Sequence, residues 1–265
     1  MTPVPEEVAQ RPSRRVLVTG GAGGLGSSLV RAFESRGDQV LAADITDGAA
    51  LRLDVRSDDD WAAAREWVER EWGGLDVLVN NAGVAGGGRL DVAGLDEWQW
   101  ITEINLFGVV RGIRTFTPMF KQQRSGHVVN VASLAGLVHP AGMASYNAVK
   151  AGVVALSETT GHELAEYGVR CSCVCPSYFR TGLVDAMRGT DTAVGKVIGG
   201  LVASAPLGPD DIAAAILDGM DRGEELILPD EAARAAYGLK LSDRASYDVL
   251  MRKQAARLNA VGEGS

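Results

Sequence analysis

Seven short runs rich in β-branched residues, at 16–19, 39–44, 51–55, 75–80, 127–132, 169–174 and 225–228, alternate with helical periodicity at 24–36, 58–72, 95–123, 144–167 and 209–222. Strands that alternate with helices form β-α-β units, whose strands pair in parallel because each crossover lays a helix over the sheet. The alternation predicts an α/β fold, a doubly wound parallel sheet with helices on both faces. No internal repeat or linker interrupts it, so residues 14–229 read as one domain, a size common for such folds. Ligands of these sheets bind beyond the carboxyl ends of the strands, which directs attention to the segments after each run.

The flanks read differently. Residues 1–13 carry Pro3, Pro5 and Pro12 without periodicity and read as a flexible tail. Residues 183–205 hold an apolar stripe, Val194, Val197, Ile198, Leu201 and Val202, bounded by Gly189, Gly199 and Gly200. That stripe suits either a surface helix or a lid over a substrate pocket. Residues 230–265 read as a C-terminal helical extension, with helices near 230–237 and 242–258, docked on the body or on a partner subunit.

Composition narrows the function. Hydrophobic residues at 46% and charged residues at 23% give the balance of a globular chain. A net charge of −8 without a Lys/Arg run argues against nucleic acid as a partner. No segment reaches the roughly 18 apolar residues of a membrane span, and the first residues lack the apolar core of a secretory signal. Cys171, Cys173 and Cys175, odd in number and clustered, are no disulfide framework, and a reducing cytoplasm is the expected location. On a strand such alternate residues line one face, about 6–7 Å apart. Zinc–sulfur bonds of ~2.3 Å do not bring such a row together, so the three read as small buried hydrophobes and no metal is expected.

Gly, 33 residues of 265, concentrates where the first run ends: Val16-Leu-Val-Thr-Gly-Gly-Ala-Gly-Gly-Leu-Gly26. A strand, a Gly-rich turn and a helix start let backbone N–H groups approach a pyrophosphate at a helix N-terminus. Three registers fit: Gly21, Gly23 and Gly26; Gly20, Gly24 and Gly26; Gly20, Gly23 and Gly26. Asp44 ends the second run, where a carboxylate accepts hydrogen bonds from adenosine ribose hydroxyls and repels a 2′-phosphate. No Arg or Lys lies in the turn or just after Asp44. The cofactor these residues predict is NAD, in preference to NADP.

Four further pieces sharpen the pattern: Asn80-Asn-Ala-Gly83 after a strand, Asn105 within the 95–123 stretch, Ser133 after the fifth run, and Tyr146-Asn-Ala-Val-Lys150 opening a helix. In this order, with Thr19-Gly-x-x-x-Gly-x-Gly26, residues 14–228 resemble the short-chain dehydrogenase/reductase family. The resemblance implies a Rossmann-type sheet, a nicotinamide cofactor and a catalytic set of Asn105, Ser133, Tyr146 and Lys150. Moving hydride at an alcohol carbon requires a proton to move at its oxygen. A phenol with a pKa near ~10 is a poor base, and a nearby ammonium stabilises its phenolate; Tyr146 and Lys150, at i and i+4, share a helix face. Ser133 would orient the reacting oxygen, Lys150 would also hold the cofactor ribose, and Asn105 would hold a relay water. The resemblance assigns cofactor contacts to Gly20, Gly24, Leu25, Gly26, Asp44, Asn81, Ala82, Gly83, Pro176 and Phe179, besides Tyr146 and Lys150. It further gives Asp54 and the Val55 N–H to adenine, and Thr181 to the nicotinamide carboxamide.

Two departures stand out. Ser177 replaces the glycine that usually follows Pro176, placing a Cβ near the nicotinamide edge. Only residues 45–50 separate the second run from the third, too few for the usual crossover helix. The function read from the sequence is oxidation of a secondary alcohol or reduction of its ketone with NAD. A non-catalytic nucleotide-binding scaffold on the same fold is the alternative, and a sugar-nucleotide epimerase needs a larger C-terminal domain. Leu134, Leu137, Val138, Met143, Tyr178, Phe179, Leu183, Val184 and Met187 are candidate pocket walls. With only His139, Arg180 and Arg188 as polar candidates, they predict a lipophilic substrate over sugars or charged acids. Apolar residues on more than one face of the 95–123 and 144–167 stretches, among them Leu106, Val109, Val110, Ile113, Val149, Val153, Val154 and Leu156, predict a homotetramer.

Overall fold

The computed structural model describes residues 12–184 and 187–263. Most of the 1–13 tail and two positions of the 183–205 segment lie outside the described residues. The strands are β1 (Arg15–Thr19), β2 (Gln39–Asp44), β3 (Leu51–Arg52), β4 (Val77–Asn80), β5 (Gly126–Val131), β6 (Val169–Val174) and β7 (Leu226–Ile227). Among the described residues they form one parallel sheet in the order β3-β2-β1-β4-β5-β6-β7. The order reverses between β1 and β4, the switch point at which doubly wound sheets open a crevice.

Strand alternation sorts side chains into two layers. Leu17, Leu41, Leu78 and Val128 join one core with Trp61, Val68, Phe116 and Val153. These come from α2 (Asp58–Trp72), α4 (Gly108–Gln123) and α6 (Ala144–Leu164). Val16, Val18, Val77, Val79 and Val129 face the other way, onto Leu29 and Phe33 of α1 (Gly24–Ser35) and Ile212 and Ile216 of α8 (Pro209–Asp221). Between β2 and β3 the chain crosses without a helix, as its length required, and Ile45 is exposed.

Two readings of the long helices change. The 95–123 stretch divides into α3 (Leu95–Thr102), one π-helical segment (Glu103–Phe107) and α4. The apolar residues read as surplus on these helices mostly serve this chain's own core: Val109, Ile113, Val149, Val153 and Val154 are buried within it. Phe107 stays exposed.

The remaining helices are the short α5 (Ala135–Val138), α7 (Thr192–Ala203), α9 (Glu231–Ser242) and α10 (Arg244–Glu263). The C-terminal pair docks on the loop that follows β5. The Tyr247 hydroxyl donates to the Val138 carbonyl and the Lys240 ammonium to the Leu137 carbonyl. Leu258 is buried with Met143, Val194, Ile198 and Val202. No helix among the described residues is long and apolar enough to cross a membrane.

Candidate active site

One cleft of about 1370 Å³ runs along the carboxyl ends of the strands, from the Gly-rich turn to α10. The backbone selects among the three glycine registers. Gly20 and Gly24 have φ of +65° and +50°, a region that disfavours a Cβ. A Cβ on Gly26 would lie 1.9 Å from the Gly20 carbonyl oxygen and 2.7 Å from Asn81 Nδ2, whereas one on Gly23 meets nothing within 4 Å. Gly20, Gly24 and Gly26 are therefore the demanding set. Gly23 precedes α1 as its N-cap, so the first N–H groups of the helix open toward a space that suits phosphate oxygens.

The turn is braced from β4. Asn81 Nδ2 donates to the carbonyls of Thr19 (2.9 Å) and Gly20 (3.3 Å). The Thr19 hydroxyl accepts from the backbone N–H groups of Asn81 and Ala82. Asn81 is thus part of the scaffold under the turn, although it lines the cleft with Ala82 and Gly83. Asp44 accepts from the N–H of Ala22 (3.1 Å) and of Thr46 (3.1 Å), which fixes its carboxylate beside the turn.

At the neighbouring position Asp54 is not the free acceptor expected of it. Arg56 grips its carboxylate at 2.6 Å, and that bond chiefly holds the Asp54 carboxyl below the usual range. Arg56 lines the cleft beside Val55 and brings a cation to this end that the residues around Asp44 gave no sign of.

Ser133, Tyr146 and Lys150 meet at the middle of the cleft. β5 delivers Ser133 just past its end, and the first two turns of α6 deliver Tyr146 and Lys150 on one face. Tyr146 is half-buried; desolvation pushes its phenol up to about 12, and a hydrogen bond with Ser133 pulls it back in part. Lys150 is 5% exposed, donates to the Val131 carbonyl at 2.9 Å, and its Nζ lies 5.8 Å from the Tyr146 ring centroid. Burial lowers its ammonium to about 8. The site thus holds a neutral acid beside a cation that gives up its proton readily.

Burying that cation costs stability. Against an ordinary 10.5, a native value of about 8 amounts to about 3 kcal/mol below pH 8, at ~1.4 kcal/mol per unit. Between about 8 and 10.5 the native chain binds fewer protons than the unfolded one, so stability rises with pH across that window. Replacing Lys150 with Met removes the charge and one hydrogen bond, the latter worth about 1 kcal/mol. Lys150→Met is expected to melt a few degrees above wild type at pH 7, at about 2–4 °C per kcal/mol. The gap closes toward pH 10, and turnover collapses. Calorimetric melts at both pH values check the sign.

Asn105 sits away from the cleft wall. It is wholly buried in the π-helical segment; its Nδ2 donates to the Val84 carbonyl (2.9 Å) and its Oδ1 accepts from the Val84 N–H (2.8 Å). So placed, the Asn105 side chain braces the loop after β4. Ser177 also departs from expectation: its hydroxyl donates to Asp230 Oδ1 (2.6 Å) and its N–H to Oδ2 (2.9 Å). Asp230 caps α9 as well, through Ala233 N. The extra Cβ therefore ties the loop after β6 to the C-terminal helices. Pro176, Phe179 and Thr181 line the cleft, and Thr181 Oγ1 lies 3.4 Å from a Cβ built on Gly24, which closes the loop over the Gly turn.

The substrate end is partly as the sequence indicated. Leu134, Val138, Met143, Tyr178, Leu183 and Arg188 line it. Leu137 is instead buried in the core and Met187 packs behind α7. The Val184 side chain lies outside the described residues. Arg180 turns away to the carbonyls of Ala205 and Pro206. His139 is held between Lys240 and the Gly136 carbonyl. The α7 stripe serves both purposes: Val194 is buried behind it, whereas Val197 and Leu201 are partly exposed and line the cleft. Sequence reasoning missed Trp100, Ile104 and the α10 residues Leu250, Lys253, Gln254 and Arg257, all of which line the cleft. The signal was present in α10 as a stripe at i, i+3, i+4, i+7 and i+8 that mixes apolar and basic residues.

Cys171 and Cys173 lie in β6 and Cys175 just past its end. All three are buried, and the thiols of Cys173 and Cys175 lie 3.8 Å apart.

The chain is similar to known proteins in sequence and in fold. Residues 14–192 match the family model described as short chain dehydrogenase. A 3-alpha-(or 20-beta)-hydroxysteroid dehydrogenase of Mycobacterium tuberculosis is 36% identical over 182 residues, 64% of this chain and 70% of that protein. The 3-oxoacyl-(acyl-carrier-protein) reductase FabG of Staphylococcus aureus is 32% identical over 192 residues, 66% of this chain and 78% of that protein. Among solved structures, a short-chain dehydrogenase/reductase of Burkholderia phymatum in complex with NAD superposes with a TM-score of 0.81 at 30% identity, covering 88% of this chain and 94% of that one.

Proposed function

The chain belongs to the short-chain dehydrogenase family, an oxidoreductase family acting on alcohol and ketone groups, and from that premise we propose that it oxidises a lipophilic secondary alcohol, or reduces its ketone, with NAD. The observation that carries the reading is the meeting of Ser133, Tyr146 and Lys150 in one cleft with the Gly20–Gly26 turn. NAD, when bound, accepts or delivers the hydride. The protein's own residues handle the oxygen. Ser133 holds it by a hydrogen bond, Tyr146 gives or takes the proton, and the Lys150 cation favours the phenolate form. The N–H groups at the start of α1 would hold the pyrophosphate, and Asp44 the ribose hydroxyls. Following NADH absorbance across a panel of secondary alcohols tests the activity. No NADH formation with any of them, and no oxidation of NADH by the matching ketones, would refute it.

Cofactor choice rests on Asp44, whose carboxylate lines the cleft. A 2′-phosphate placed there meets this charge, Arg56 is already matched to Asp54, and Arg52, across from Asp44 on β3, is matched to Asp60. Asp44→Ala removes an acceptor and a repulsive charge together. It is expected to weaken NAD binding about tenfold, equivalent to ~1.4 kcal/mol, and to narrow the gap to NADP. Fluorescence titration of both reduced cofactors is the check, and tighter wild-type binding of NADPH would reverse the reading. The hydroxysteroid dehydrogenase relative and the apolar walls Leu134, Val138, Met143, Leu183 and Leu201 support a lipophilic substrate. Exposed Phe107, the last residue of the π-helical segment, supports assembly into an oligomer.

A further inference from the structure

The stripe of α10 that faces the cleft has the wrong composition for a helix that only closes an apolar pocket. Leu250, Lys253, Gln254, Arg257 and Leu258 line the cleft, and their spacing is that of one helical face. A helix laid on an apolar wall turns its cations to the opposite side. Here Leu258, buried against α7 and Met143, forms one edge of the stripe, and the exposed Lys253 and Arg257 line the cleft on its other side, around Leu250. Neither cation has a carboxylate partner among the described residues. On the same helix Arg244 holds Asp248 at 2.8 Å, and Arg14, Arg15, Arg89 and Arg111 elsewhere are all matched to acids.

A third cation belongs to the same cleft. Arg188 lines the same cleft with its guanidinium 5.0 Å from the centroid of the Trp100 ring, and it too has no acidic partner among the described residues. Three unmatched cations around an apolar opening, on a chain of net charge −8, make a local field opposite in sign to the whole molecule. Such a field favours an anion whose neighbouring atoms are apolar. We propose that the substrate is amphipathic: a lipophilic alcohol or ketone bearing an anionic head, carboxylate or phosphate, remote from the reacting carbon and held by Lys253, Arg257 and Arg188. This rests on the activity proposed above, and it replaces the expectation that charged acids are disfavoured.

The test compares a cycloalkyl ketone carrying a remote carboxylate with its methyl ester and with the corresponding phosphate ester. Wild type is expected to prefer the anions over the methyl ester by tenfold or more in kcat/KM, about 1.4 kcal/mol. The Lys253→Met/Arg257→Met variant, altered at two exposed positions, is expected to bring that ratio close to one while its NADH dissociation constant holds. Whichever anion shows the larger ratio identifies the head group. Equal kcat/KM for acid and ester in wild type overturns the proposal. So does a parallel loss of NADH affinity in the variant, which would assign the cations to the cofactor. If no ketone is turned over, calorimetric binding of the same compounds to the NADH complex still decides it. Tighter binding of the anion that the variant loses supports the recognition while the activity fails, and equal binding overturns it.

Discussion

Tyr146→Phe is expected to lower kcat by at least ~10²-fold, the scale of a lost general acid–base group, with NADH binding within twofold of wild type. The hydroxyl is the one atom removed, and it stands where a proton has to be exchanged. The phenol is neutral at physiological pH, raised by burial to about 12, so as an acid for ketone reduction it is always in the active form. Oxidation needs the phenolate, which the Lys150 cation must stabilise; oxidation is therefore hurt most at low pH. Ser133→Ala removes the hydrogen bond that lowers the Tyr146 value. Its effect is expected to fall within that of Tyr146→Phe, and the double variant to be little worse than Tyr146→Phe alone, because groups that act as a unit do not add. Stopped-flow absorbance of NADH with the wild type and three variants checks both the size and the non-additivity. Near wild-type turnover in Tyr146→Phe would remove the phenol from the mechanism.

The contrast between Tyr146 and Asn105 shows what a sequence carries and what it does not. Tyr146 and Lys150 are joined by a local rule, one helix turn apart, and a local rule survives folding intact. Asn105 depends on a π-helical segment that interrupts the 95–123 periodicity without any Gly or Pro at the interruption, and on Val84 from a loop distant in sequence. The strand-and-helix alternation was legible because burial on both faces imposes it residue by residue. Spacing left three glycine registers open and only the family resemblance picked Gly20, Gly24 and Gly26, since the choice depends on where the Gly20 carbonyl and Asn81 amide stand in space. Ser177 was legible as a departure but not as a tether, because its partner Asp230 follows β7. The α10 stripe was legible as a helix, yet its facing toward the cleft is set by Tyr247 and Leu258 gripping the loop after β5 and α7.

Gly26→Ala is expected to be the most damaging single methyl group in the chain, and Gly23→Ala, three residues away, close to neutral for stability. Both positions lie at the start of the same helix: propensity alone would favour Ala at Gly26, inside α1, whereas the N-cap Gly23 prefers Gly to Ala by no more than about 1 kcal/mol. The difference is steric. The new Cβ of Gly26 would fall 1.9 Å from the Gly20 carbonyl oxygen, which is backbone and does not swing aside, whereas the Cβ of Gly23 enters open space. Relief at Gly26 requires α1 to shift away from the turn, and Leu29 and Phe33 of that helix are buried against β1 and β4. Overpacking of this kind costs about 1–3 kcal/mol, sometimes more. At roughly 2–4 °C per kcal/mol for a domain of this size, the melting temperature of Gly26→Ala should fall by about 2–12 °C, with cofactor binding lost as the helix start moves off the phosphates. For Gly23→Ala the sign differs between observables. The fold tolerates the methyl group, but the open space it fills is the cleft itself, so NADH affinity should drop while the melting temperature holds. Calorimetric melts and NADH titrations of the two variants separate the cases. Equal destabilisation by both would mean that the turn is constrained by glycine flexibility as a whole and not by the close approach at Gly26.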